Sequence, residues 1–196
     1  MIPSALPNFP IHSEAPLSKA CRNENLVDFH QAVQRIQKLA YGRNSRKDQL
    51  ACLLVEERGT CSTKHAFLAQ LAIENEIPGI QLILGIYQMN ANNTPGIGAI
   101  LEQHQLAYLP EAHNYLNFYG QRIDITNLPG TQSSPFEVLM KEIEITPQQI
   151  VDFKPQYHQD FLGQWIDKEQ IPYTLEQIWE IREACIAALA NIPSKE

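Results

Sequence analysis

Between Cys61 and Asn75 the polar positions are Ser62, Thr63, Lys64, His65, Gln70, Glu74 and Asn75, and apolar residues point in nearly every direction around a helix. A helix apolar all round is buried rather than laid on a surface. Thr60 is placed to cap it, Gly59 to turn the chain into it, and Pro78-Gly79 to close it. Upstream, Leu26, Phe29, Val33, Ile36 and Ala40 recur at helical spacing up to Tyr41-Gly42, and Ser45 offers a cap for a second helix that turns Leu50, Leu53 and Leu54 inward. Downstream the period changes. Ile80 to Met89 reads as a strand, residues 90–98 as a loop, and Glu111–Phe118 and Gln121–Thr126 as a hairpin turning at Tyr119-Gly120. Val138–Ile145 alternates as a further strand. Thr146-Pro147 then opens a helical tail that includes Gln148–Asp152, a segment near Gln156–Lys168, and a last helix from a Thr174/Gln177 capping box to Leu189. A buried helix with antiparallel strands predicts an α+β fold. The expected organisation is a proline-rich extended arm over 1–23, a core over 24–145, and a helical extension over 146–196.

Charge and composition narrow the function. A formal charge of −7 without a dense Lys/Arg cluster argues against a nucleic-acid partner. No run approaches the roughly 18 apolar residues of a membrane span. The first residues lack the pattern of a secretory signal, so a cytoplasmic place is expected. Cys21, Cys52, Cys61 and Cys185 are irregularly spaced and read as reduced thiols.

Cys61 falls in the first turn of the predicted buried helix, where first-turn N–H groups and the dipole favour a thiolate. Six histidines are available to serve it: His12, His30, His65, His104, His113 and His158. His113 lies on a predicted strand, and a two-residue turn at Tyr119-Gly120 sets Asp124 opposite Tyr115. His113 is then the diagonal neighbour of Asp124 on one face. Nucleophile, base and orienting carboxylate follow as Cys61, His113 and Asp124. Two other readings stand beside this one: a structural thiol in a non-catalytic peptide-binding module, and a zinc site built from Cys61, His65, His104 and His113.

The segments Gly59-Thr60-Cys61, Ile77-Pro78-Gly79-Ile80, Leu84-Gly85-Ile86-Tyr87, His113-Asn114-Tyr115-Leu116 and Arg122-Ile123-Asp124 resemble the transglutaminase-like superfamily, relatives of the papain-like cysteine enzymes. The resemblance spans residues 36–130. It implies a cysteine-bearing helix packed on an antiparallel sheet, and acyl transfer through a Cys61 thioester on a peptide, protein or small amide. His113 is the general base and acid, Asp124 its orienter, and the Cys61 N–H an oxyanion donor. Thr60, Ser62, His65, Asn114 and Tyr115 form the expected surroundings, with no cofactor or metal.

Overall fold

The computed structural model describes residues 5–126 and 134–190, so residues 1–4 of the expected arm and 191–196 of the expected extension lie outside it. In chain order the elements are α1 (Pro16–Asn23), α2 (Phe29–Lys38), β1 (Ala40–Tyr41), α3 (Cys52–Glu56), β2 (Arg58–Gly59) and α4 (Cys61–Glu74). They continue with β3 (Ile80–Met89), α5 (Gly98–Gln103), β4 (Leu109–Phe118), β5 (Gln121–Ile123), β6 (Leu139–Ile145), α6 (Phe153–Glu169) and α7 (Leu175–Ala190). Short 3-10 turns at Pro135–Val138 and Pro147–Ile150 precede β6 and α6. The fold is α+β, with a four-stranded antiparallel sheet of order β5-β4-β3-β6 and a small parallel pair, β1 with β2.

The described residues form two compact units. One comprises 5–84, 114–126 and 143–151, the other 85–113, 134–142 and 152–190.

In the first unit α4 is the central element, in contact with α1, α2 and the turn at Pro147–Ile150. Phe67, Leu68 and Leu71 are fully buried, as are Phe29, Val33 and Ile36 of α2. Each such side chain contributes roughly 1.5–3 kcal/mol relative to exposure. Asp28 caps α2 by accepting from the Gln31 N–H. The helix stops at Lys38 because Leu39 turns to extended backbone and leads into β1. At the far end of α4, Asn75 donates to the Leu71 carbonyl, and its own carbonyl accepts from the N–H groups of His12 and Ser13.

Three local expectations change. The arm is not simply extended: residues 9–11 bond to 27–29, and α1 follows with Pro16 in its first turn. Glu74 of α4 accepts from the N–H groups of Leu17 and Ser18, satisfying donors that a helix start leaves over. Ser45 does not cap a helix. Its hydroxyl donates to Glu56, and α3 begins only at Cys52, burying Leu53 and Leu54. Gly59 makes no left-handed turn, a conformation taken instead by Glu57 at φ 52°. Gly59 lies in β2, where a Cβ would stand 3.0 Å from Lys64 Cγ and 3.1 Å from Leu53 Cδ2. Glycine is required there by close packing.

β3 is buried along most of its length on both faces, with Gln81 and Gln88 half-buried. The β4–β5 hairpin turns at Tyr119 (φ 47°) and Gly120 (φ 85°), the left-handed pair of a type I′ turn.

In the second unit α7 packs on α5 and α6. Thr174 and Gln177 exchange the two bonds of the expected capping box at the start of α7. In the loop over 90–97 Asn93 and Thr94 are buried, Asn93 donates to the Gln88 carbonyl, and Thr94 bonds the Tyr87 hydroxyl.

Candidate functional site

Local sequence fixes the entry to α4 tightly. The Thr63 N–H donates to Thr60 Oγ1 while the Thr60 N–H donates to Thr63 Oγ1, a reciprocal capping box. Thr63 Oγ1 in turn donates to Asn44 Oδ1 at 2.8 Å, and Asn44 Nδ2 donates to the Arg58 carbonyl and to Glu56. Cys61 is thereby held as the first residue of the helix, 8 % exposed, with its sulfur 3.9 Å from the Ser62 hydroxyl. First-turn N–H groups have no partner within a helix, so the sulfur sits at the positive end of α4.

His65, one turn on and wholly buried, joins this turn to the chain leaving β5. Its Nδ1 is 2.8 Å from the Cys61 carbonyl, and its Nε2 accepts from the Ile125 N–H at 3.0 Å. A nitrogen that accepts an N–H carries no proton, so the proton is on Nδ1 and donates to the Cys61 carbonyl. Both ring nitrogens are therefore committed to backbone. His65 holds the turn together rather than serving the Cys61 sulfur as a base.

Asp124 arrives at the same turn. Its Oδ1 stands 3.5 Å from His65 Nε2 and accepts from the Thr126 N–H at 2.8 Å. The β4–β5 register pairs Leu116 with Ile123, Asn117 with Arg122 and Phe118 with Gln121. The pairing ends at Ile123, so Asp124 lies one residue beyond β5. Cys61, His65 and Asp124, 63 residues apart at the extremes, are thus brought together within one unit.

His113 is half-buried on β4 and belongs to the second unit, where its ring meets Tyr87 edge-on at 6.0 Å between centroids. The next two residues stabilise the first unit. Asn114 is fully buried and its Nδ2 donates to the Ile83 carbonyl at 3.0 Å, and Tyr115 is a fully buried core residue.

Lys64 is the site residue that pattern reading passed over. It is 1 % exposed, and Nζ donates to the Leu39 carbonyl at 2.6 Å. Burial lowers its pKa to about 8, with the charges of Asp124 and Cys61 opposing that shift. The signal was present in the sequence: a helix apolar on every side leaves no solvent face for a lysine in its first turns.

Among the described residues no group of three or more His, Cys, Asp and Glu side chains is placed to hold a metal ion. His104, part of the alternative zinc set, lies in the second unit with its ring edge-on to Tyr173. A groove of about 560 Å³ in the first unit lies toward the other end of α4, lined by Leu17, Leu50, Gln70, Glu74 and Val151. Among the described residues no helix is long and apolar enough to cross a membrane. Comparisons of the chain with protein-family models, with curated proteins and with solved structures find no match.

Proposed function

We propose that this chain is a cysteine acyl-transfer enzyme of transglutaminase-like fold, with Cys61 as nucleophile, His113 as general base and acid, and Asp124 as the carboxylate that orients His113. The observation that carries the reading is the position of Asp124 against the first turn of the Cys61 helix, 3.5 Å from His65. Nothing in local sequence demands that meeting. His113 takes the thiol proton, and the thiolate attacks an amide carbonyl to form a tetrahedral oxyanion held in part by the Cys61 N–H. Collapse forms the Cys61 thioester while His113 returns its proton to the leaving amine. Water, deprotonated by His113, then releases the carboxylic acid and restores the thiol. The substrate class is an amide in a peptide, a protein or a small molecule. Hydrolysis is favoured over crosslinking because no second, amine-donor site is evident in the sequence. The four free thiols suit a reducing compartment.

The test is the iodoacetamide labelling rate of each cysteine against pH, read by peptide mass spectrometry, with Cys52 as the internal comparison. Cys52 is half-buried and its thiol is pushed up by burial. The expected result is that Cys61 titrates well below the free-thiol value of about 8.5, and that His113→Ala removes the shift. A Cys61 that labels no faster than Cys52 at neutral pH refutes the enzyme and leaves a non-catalytic binding module.

A further inference from the structure

Cys61 and Lys64 are three residues apart on α4 and so share a face of the helix. Lys64 is buried where an ammonium is costly, and among the described residues its three N–H groups find one acceptor, the Leu39 carbonyl. The charged or titratable groups facing it are Asp124, from the chain leaving β5, and Cys61 on its own helix; His65, also on α4, is neutral. The α2–β1 link supplies the Leu39 carbonyl, and β2 supplies Gly59, close to which the lysine stem packs. The stem therefore has little freedom, and the ammonium is held at the Leu39 carbonyl.

We propose that Lys64 is a positioning residue for Cys61, a buried cation whose field keeps the sulfur in its thiolate form. No proton passes through it: the thiol proton goes to His113, and Lys64 remains an ammonium throughout. The inference rests on the reading of Cys61 as the nucleophile. The simpler role, a cation closing the C-terminal end of α2 through the Leu39 carbonyl, explains the hydrogen bond but not why a lysine is buried on the helix face that also carries Cys61.

The two roles separate in a pH profile. Iodoacetamide labelling of Cys61 is measured against pH in the wild type and in Lys64→Met, which retains the stem and removes the charge, with far-UV circular dichroism as the check on folding. The expected result is a profile moved to higher pH, with about tenfold slower labelling at neutral pH, one pKa unit of lost support for the thiolate. An unmoved Cys61 profile in a folded Lys64→Met overturns the inference and leaves the enzyme reading standing. A wild-type Cys61 no more reactive than Cys52 overturns both.

Should Lys64→Met fail to fold, the coupling is read from the other side, because it is reciprocal. The Lys64 side-chain carbon resonances are followed against pH in the wild type and in Cys61→Ser. Loss of the thiolate lowers the Lys64 titration if the two are coupled, and identical titrations overturn the inference.

Discussion

Burial of Lys64 has a consequence for stability that can be worked out from its titration. In the folded chain it loses its proton near pH 8, against 10.5 in the unfolded chain. Below about pH 8 both states hold the proton, and keeping it on a buried amine costs the fold about 3–4 kcal/mol, at about 1.4 kcal/mol for each pH unit between the two values. Between those two values the unfolded chain binds more protons than the folded one, so stability from this group rises with pH. Lys64→Met has no such term. At neutral pH the variant is relieved of the desolvation cost but leaves the buried Leu39 carbonyl without its donor, a loss of about 1–3 kcal/mol, so the two proteins are close to equal. As pH rises through this window the wild type gains on the variant by about 1.4 kcal/mol per unit, reaching about 2 kcal/mol near pH 9.5. Other groups titrate there as well. The thiols of Cys21 and Cys185 are pushed up to about 12 and about 11, chiefly by burial, and draw stability down above about pH 9. They are common to both proteins and cancel in the difference. Urea unfolding followed by circular dichroism at several pH values measures it. Parallel stability curves for wild type and variant from pH 7 to 10 would refute the burial of an ammonium at this position.

Two further perturbations probe the packing on either side. Gly59→Ala puts a Cβ 3.0 Å from Lys64 Cγ and 3.1 Å from Leu53 Cδ2 and Thr63 Oγ1, so thermal unfolding should report a loss of about 1–3 kcal/mol. A Tm equal to the wild type's would show that β2 and α4 can separate freely. In the second unit, Glu111→Gln leaves Arg182 without the carboxylate that holds it in two bonds of 2.9 and 2.6 Å, and the expected loss is about 3–5 kcal/mol. Burial alone would raise the Glu111 carboxyl, but Arg182, His158 and Lys154 together hold it well below the usual range. The carboxyl is thus depressed on folding, so its contribution is present above about pH 4.5 and is lost as pH falls below that value. Acid titration of wild type and Glu111→Gln should therefore converge, and curves that stay apart at low pH contradict the assignment.

Period and punctuation made most of the elements legible. The burial of α4 followed from apolar residues on every side, the α7 start from Thr174 and Gln177, and the hairpin from Tyr119-Gly120 between two β-rich runs. Each is decided by neighbours a few residues apart, where backbone geometry and side-chain period act directly. Ser45 and Gly59 misled for the opposite reason. A serine before an apolar run reads as a cap and a glycine as a turn, yet their roles are set by Glu56 and by the lysine stem packed close to Gly59. Pro16 likewise read as part of a proline-rich extended arm, whereas it opens α1, whose starting N–H groups are satisfied by Glu74.

The sequence by itself determined that Cys61 opens a capped helix and that β4 and β5 turn at Tyr119-Gly120, because capping and hairpin turns are local matters. Tertiary structure alone decided what surrounds the sulfur. His65 is turned to the Cys61 carbonyl and the Ile125 N–H, Lys64 is folded inward onto Leu39, and Asp124 is brought to the same helical turn. These contacts join residues up to 60 positions apart, and they form only because a buried polar group must find a partner wherever the packed chain supplies one.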